Sequence, residues 1–431
     1  MNSLDKTMAR LHALRRKFEE LLESARDKSS HPRRDGPRTT AAPREVKAFG
    51  RNPGNLRMFV HVPEHLPSGA PLVVALHGCS QTASDYDQGA GWSLLADRLG
   101  FAVLYPEQQA ANNPKNCFSW FLPGDTTRDL GEASSIRQMV EHAIGTFGID
   151  RRKVFVTGLS AGGAMASVML ATYPDVFAGG AIIAGLAYGS AHSVQQAFDA
   201  MFTERSTPAA VLGNYVRAAS KHRGPWPKIA VWHGSADPIV KPSNAEEIVR
   251  QWTDVHGFSG APSYEDSIGD HRRRVWNDPD GNAVIEAFSI GGMGHGVPLG
   301  SVIGEETCGA VGPFFLEAGI SSTHRIAAFW RLDQDLARTP RPSMTAAASS
   351  QTRTIRPGLA AASGASYQPA DASVESNAEQ LAHRAYDPNP VIAAAFKAAG
   401  LPLPKLPNAS SGFAPGPIIE AALKAAGMKG T

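Results

Sequence analysis

Leu4, Leu11, Leu14, Phe18, Leu21 and Leu22 recur at spacings of three, four and seven, which predicts an amphipathic helix over residues 4–26. Its apolar stripe suits docking or oligomerisation. The polar, Pro-containing stretch "SSHPRRDGPRTTAAPRE" that follows reads as a linker, so residues 1–28 are a helix and 29–44 a tether. The pattern then changes to short apolar runs: Leu56–Val62, Leu72–Leu76, Ala102–Tyr105, Val154–Gly158, Gly180–Ile183, Ile229–Trp232 and Val284–Ile290. Each has strand length. Helical patterns separate most of the later ones, notably Ala133–Thr146, Ala164–Tyr173 and Asn244–Val255. This alternation predicts an α/β domain over residues 45–333, with a mostly parallel sheet and helices on both faces.

Beyond Asp333 the chain turns to Ala, Ser, Pro and Thr, with too few large apolar side chains to offset chain entropy. A largely disordered tail over 334–431 is expected. Within it "PNPVIAAAFKAAG" at 388–400 and "PGPIIEAALKAAG" at 415–427 agree at 9 of 13 positions. Each opens on Pro and stops at Gly, and places two large apolar residues one turn apart: Ile392 and Phe396, then Ile419 and Leu423. Helices this short are marginal alone in water, so they read as motifs that fold on a surface.

Charge and cysteine content change the picture only in part. The chain carries +2 overall, with 13 Lys/Arg against 7 Asp/Glu in residues 1–51. That balance selects no nucleic acid; the basic arm is a solvated segment or rests on an acidic or amphiphilic surface. Cys79, Cys117 and Cys308 are too few for a disulfide scaffold, though a single Cys79–Cys117 bridge has room to form, and no Cys/His spacing suggests a metal. Charges interrupt every apolar run at the N-terminus, and no stretch is long and apolar enough to span a membrane. These features favour a cytoplasmic protein.

The candidate chemistry lies in "VFVTGLSAGGAMASVML", residues 154–170. Gly158-Leu159-Ser160-Ala161-Gly162 follows a β-branched strand and precedes a small-residue helix, the setting of a nucleophile elbow. A serine hydroxyl needs a histidine to take its proton and an acid to orient that histidine. "KIAVWHGSADPIV" offers Asp237 in a turn after a strand, preferred over Asp270, Asp278 and Asp280, whose charged hairpin-turn sequence explains them. "SIGGMGHGVP" offers His295 on a Gly-flanked loop after the last strand. His256 reads as a helix cap, and His77 and His233 as supports at strand ends. "LVVALHGCSQ" supplies a second loop, so the backbone N–H groups of Cys79 and Ala161 are the expected oxyanion donors.

Taken together, "LHGCSQTASDY", "YPEQ" with "NCFSWF", "RDLGEASSIRQMV", the serine box, "GPWPKIAVWHGSADPIV" and "GMGHG" resemble the short-chain polyhydroxyalkanoate depolymerases, the poly(3-hydroxybutyrate) depolymerase esterase family, from about residue 56 to 331. The resemblance implies an α/β-hydrolase fold, a Ser160–Asp237–His295 triad, Cys79 in the oxyanion loop, no cofactor, and polyesters or their oligomers as substrates. Trp120, Phe118 and Phe121 are candidates for the acyl groove, with burial in the core as the competing reading. No β-rich substrate-binding module follows the domain; the terminal helices instead suggest a storage granule or granule protein as partner. Extracellular action, as in many family members, is the alternative. Related esterases remove acetyl or feruloyl groups from polysaccharides, and a non-catalytic granule- or partner-binding scaffold is the alternative of another class.

Overall fold

The computed structural model describes residues 3–28, 42–300 and 308–332, with side chains of the first helix from residue 9 to 24. All of them belong to one compact unit, Met1–Met344; a second, Thr345–Thr431, lies outside the described residues, as do both repeats and most of the linker.

In chain order the elements are α1 (Ser3–Lys28), β1 (Arg44–Val46), β2 (Arg57–His61), β3 (Leu72–Leu76), α2 (Ala83–Ala90), α3 (Trp92–Leu99), β4 (Ala102–Glu107), α4 (Pro123–Thr126), α5 (Gly131–Phe147), β5 (Val154–Leu159) and α6 (Ala161–Thr172). They continue as β6 (Gly179–Ile183), α7 (Val194–Phe202), α8 (Ala209–Ala219), β7 (Lys228–Gly234), α9 (Ser243–His256), β8 (Tyr264–Ile268), β9 (His271–Asn277), β10 (Ala283–Ile290), β11 (Val297–Leu299), β12 (Phe315–Glu317) and α10 (Ser322–Phe329). Ten strands form one sheet in the order β1-β2-β4-β3-β5-β6-β7-β10-β9-β8. From β4 to β10 every pairing is parallel. The two strands at each margin pair antiparallel.

Burial explains why the central strands read as unbroken apolar runs rather than alternating ones. Every residue of β3, β5 and β6 is buried, because helices cover both faces. The margin is different: β8, "YEDSI", is mostly exposed and holds to β9 by pairing Glu265 with Arg272 and Asp266 with Arg273. Such charged edges resist pairing with other chains. From β3 the chain steps outward to β4, then crosses back over β3 to β5 and continues the other way. With right-handed crossovers this reversal puts α2 and α3 on one face and α5, α6 and α9 on the other. It also opens a crevice at the C-terminal ends of β3 and β5, where open α/β sheets bind ligands.

α1 lies against α7 of the same chain. Phe18 is buried edge-on to Phe198 at 5.8 Å, Lys17 Nζ sits 5.0 Å from the Phe202 ring centre, and Arg10 pairs with Asp199 at 3.0 Å. Among the described residues no helix is long and apolar enough to cross a membrane. Burying one phenylalanine side chain contributes about 2 kcal/mol. Phe18→Ala is therefore expected to loosen α1, speeding amide exchange over residues 9–24 by roughly tenfold or more without altering exchange in β5 or β7.

Candidate active site

Ser160 sits between the last residue of β5 and the first of α6 with φ 57° and ψ −116°. A non-glycine residue at that φ is strained and must be held by its surroundings. Ser160 N–H donates to the Ile183 carbonyl at the end of β6 at 2.9 Å, and its own carbonyl accepts from Ala164 N–H at 2.9 Å. The corner closes only because Gly158 and Gly162, two residues to either side, lack Cβ. A Cβ on Gly158 would lie 2.4 Å from the Gly162 carbonyl, and one on Gly162 would lie 2.3 Å from the Leu76 oxygen and 2.5 Å from that of His77. The first turn of α6 thus rests directly on the end of β3. The opening amides of α6 have no partner four residues back and carry the positive end of the helix dipole.

Asp237 follows β7 in a turn closed by its N–H on the Gly234 carbonyl at 3.2 Å. One carboxylate oxygen, Oδ1, accepts from Ile239 N–H at 2.8 Å and Val240 N–H at 2.9 Å. The other, Oδ2, accepts from His295 Nδ1 at 2.7 Å, with His233 Nε2 at 3.3 Å. Burial by itself would push this carboxyl up, but His295 and His233 outweigh it and hold Asp237 well below its ordinary range. Binding Asp237 through Nδ1 leaves Nε2 as the basic nitrogen of a neutral His295.

The two loops are stitched together. Ser235 N–H donates to the Ile290 carbonyl at 2.9 Å, Ala236 N–H to that of Met293 at 3.0 Å, and Gly292 N–H to Ser235 Oγ at 2.9 Å. Because β5, β7 and β10 run parallel, Ser160, Asp237 and His295 all emerge at one edge of the sheet, and all three are buried. The rejected candidates have structural roles: His256 bonds the Pro227 carbonyl at 3.0 Å, and Asp278 closes its turn by accepting from Asn282 N–H at 2.8 Å.

Across the crevice, the loop after β3 is fixed by partners that periodicity gives no sign of. His77 Nε2 accepts from Gln108 N–H at 3.0 Å, so the ring proton is on Nδ1, which donates to the Gly78 carbonyl at 2.8 Å. That carbonyl belongs to the peptide whose other end is the Cys79 N–H. Burial pushes His77 down to about 4, keeping it neutral and its tautomer fixed. Gln81 Oε1 accepts from Gly78 N–H at 2.7 Å, and Ser80 N–H donates to the Lys115 carbonyl at 2.6 Å. A Cys79–Cys117 disulfide ties the loop to the segment after β4. Beneath it Glu132 accepts from Gln108 Nε2 at 2.6 Å and Ser119 N–H at 2.8 Å.

Of the two readings of the aromatics, the groove reading is corrected for Phe118, which takes the core one. Phe118 is fully buried and packs 4.9 Å from the His77 ring, so it supports the loop and cannot line an open groove. Trp120 is 8% exposed and meets the half-buried Phe121 edge-on at 5.3 Å.

A mostly parallel sheet with helices on both faces and a serine corner at the C-terminal end of a central strand is the architecture of an α/β-hydrolase. An acetyl xylan esterase from Aspergillus awamori superposes with TM-score 0.58 at 26% identity, over 68% of this chain and all of that one. Residues 61–276 match the family Esterase PHB depolymerase. The chain is 46% identical to poly(3-hydroxyalkanoate) depolymerase C of Paucimonas lemoignei over 287 residues, 66% of this chain and 69% of that protein. It is 37% identical to an acetylxylan esterase of Coprinopsis cinerea, over 59% of this chain and 69% of that one. The chain belongs to the Esterase PHB depolymerase family and is a carboxylic ester hydrolase.

Glu132 generates a pH prediction. Burial, with the Asp125 charge adding, pushes it up to about 7 from an ordinary 4.5. The folded state therefore holds this proton more tightly than the unfolded chain, and the stability so gained, on the order of 3 kcal/mol, is lost as pH rises from about 4.5 through 7. Glu132→Gln should flatten that decline, so its Tm relative to the parent rises between pH 5 and pH 8. Parallel Tm curves for the two proteins would refute it.

Proposed function

We propose that this esterase cleaves poly(3-hydroxybutyrate)-type polyesters or their oligomers through an acyl-enzyme on Ser160. The strained Ser160 corner, on the same sheet edge as the Asp237–His295 pair, carries the chemistry. The depolymerase relative supports the substrate class.

His295 Nε2 takes the proton as Ser160 Oγ bonds to the ester carbonyl carbon. The Cys79 and Ala161 amides stabilise the oxyanion, and the C–O bond to the leaving alcohol breaks as His295 returns the proton to it. Water, deprotonated by His295, then attacks the acyl carbon and restores Ser160. Asp237 fixes the histidine tautomer and stabilises the imidazolium. His77 is a positioning residue, because its bond to the Gly78 carbonyl sets the plane of the Cys79 amide.

The Cys79–Cys117 disulfide supports action in an oxidising compartment, which departs from the cytoplasmic expectation and favours the extracellular alternative. Docking to a polymer granule through the C-terminal repeats rests on residues outside those described.

Turnover of a short-chain p-nitrophenyl ester should fall on the order of 10⁶-fold in Ser160→Ala and about 10⁴-fold in Asp237→Asn. Equal turnover by parent and Ser160→Ala removes the serine mechanism, and no turnover by either leaves the scaffold reading. The parent should release hydroxyacids from the polyester; acetate from acetylated xylan with no hydroxyacid from polyester would instead assign it to polysaccharide esters.

His77→Phe keeps the packing on Phe118 and deletes both ring hydrogen bonds. It should lower kcat on the order of 100-fold with KM little changed, and weaken a tetrahedral boronate inhibitor in proportion. A rise in KM alone, with inhibitor affinity intact, would contradict the positioning role.

A further inference from the structure

Between α10 and strands β7, β9 and β10 lies an open cavity of about 300 Å³. It runs along β10 from Ala283, near the start of β7 at Lys228, to Phe288, level with Trp232 of β7, and its lining includes none of Ser160, Asp237 and His295. Four cations line the cavity, Lys228, Arg273, Arg325 and Arg331, against one carboxylate, Glu286. That carboxylate is already engaged by Arg273 Nη2 at 2.7 Å, and Asp266 at the rim also reaches Arg273, at 3.4 Å. Among the described residues the Arg331 guanidinium bonds an amide oxygen, that of Asn282, at 3.1 Å. Among the described residues no carboxylate lies within 4 Å of Lys228 or Arg325, although both are half-buried.

The electrostatic imbalance is felt by the cations themselves. Burial and then the Arg331 charge push Lys228 down, with Asp278 and Glu286 opposing but not cancelling them. Arg325 is pushed down by burial and then by Arg273, against Glu286 and Asp266. Arg273 Nε is buried with no hydrogen-bond partner. Half-buried, uncompensated cations cost stability that an incoming anion would recover. The remaining walls are apolar: Lys228 Nζ lies 5.5 Å from the Phe329 ring centre and the Arg273 guanidinium 5.9 Å from that of Phe288. This volume stands at the lower end of small-ligand sites.

We propose that this cavity binds a small oxyanion, the carboxylate of a short aliphatic acid or a phosphate, through Lys228 and Arg325. The site is separate from the triad, and the proposal stands whether or not the polyester reading does.

Calorimetric titration of the full chain at low ionic strength tests it, with 3-hydroxybutyrate, inorganic phosphate and uncharged 3-hydroxybutyramide as probes. At least one anion should bind, the amide should not, and Lys228→Met with Arg325→Gln should weaken binding tenfold or more while soluble-ester turnover stays within twofold. Whichever anion binds identifies the source. Should the double variant not fold, Arg325→Gln alone and the rise in parent Tm with whichever of the two anions binds, over sodium chloride of equal ionic strength, decide the matter. No binding by either anion, equal binding by the amide, anion affinity unchanged in the variants, or no Tm rise beyond that of sodium chloride overturns the site.

Discussion

The approach of one backbone to another, the first turn of α6 against the end of β3, sets the conditions for everything else at the reacting edge. Gly162 has the Leu76 and His77 carbonyls where any side chain would begin. That contact lets the serine corner and the β3 loop face one space at the point where the sheet's connections reverse. It also explains the cost carried by Ser160, whose backbone lies where L-residues are strained. Hydrogen bonds from the neighbouring strand and from within α6 restrain it, so the strain is maintained by packing already required to build the sheet.

Two buried carboxylates near this edge show how surroundings decide chemistry. Asp237 is enclosed by two backbone donors and two histidines, which keep it charged despite burial. A charged acid there is what an orienting partner of His295 must be. Glu132 has two neutral donors and no cation within bonding distance among the described residues, and burial wins. It joins Ser119 to Gln108, which in turn fixes His77, so it braces the loop opposite the serine. Depth alone would treat these two groups alike; the count and charge of their donors separate them.

The chain thus divides its polar interior by function. Donors converge on Asp237 and on the Gly78–Cys79 peptide, the groups to which the proposed mechanism gives the moving and developing charge. The ion pairs between β8 and β9 sit at the sheet margin, where solvent limits what they contribute and their main effect is to keep that margin from pairing with other chains. The cavity beneath α10 differs, since Lys228 and Arg325 are half-buried with no carboxylate within 4 Å among the described residues.

The central strands, the corner at Ser160 and the turns that carry Asp237 and His295 were legible in the chain, because each depends on local chemistry. Unbroken apolar runs mean strands covered on both faces, Gly-x-Ser-x-Gly between strand and helix means a tight corner, and Asp-Pro and Gly-Met-Gly-His mark turns after strands. Phe118 could be read as groove or core, and only packing against His77 placed it in the core. His77 was legible as a support but not as the group that orients the Cys79 peptide, since Gln108 lies 31 residues away. Glu132 and Gln108 read as ordinary polar positions, and the pairing of Cys79 with Cys117 was one possibility among the three cysteines. Sequence determined what each segment forms. The tertiary structure alone decided which distant groups share a desolvated space, because hydrogen bonds and charges act across distances in three dimensions that carry no periodicity along the chain.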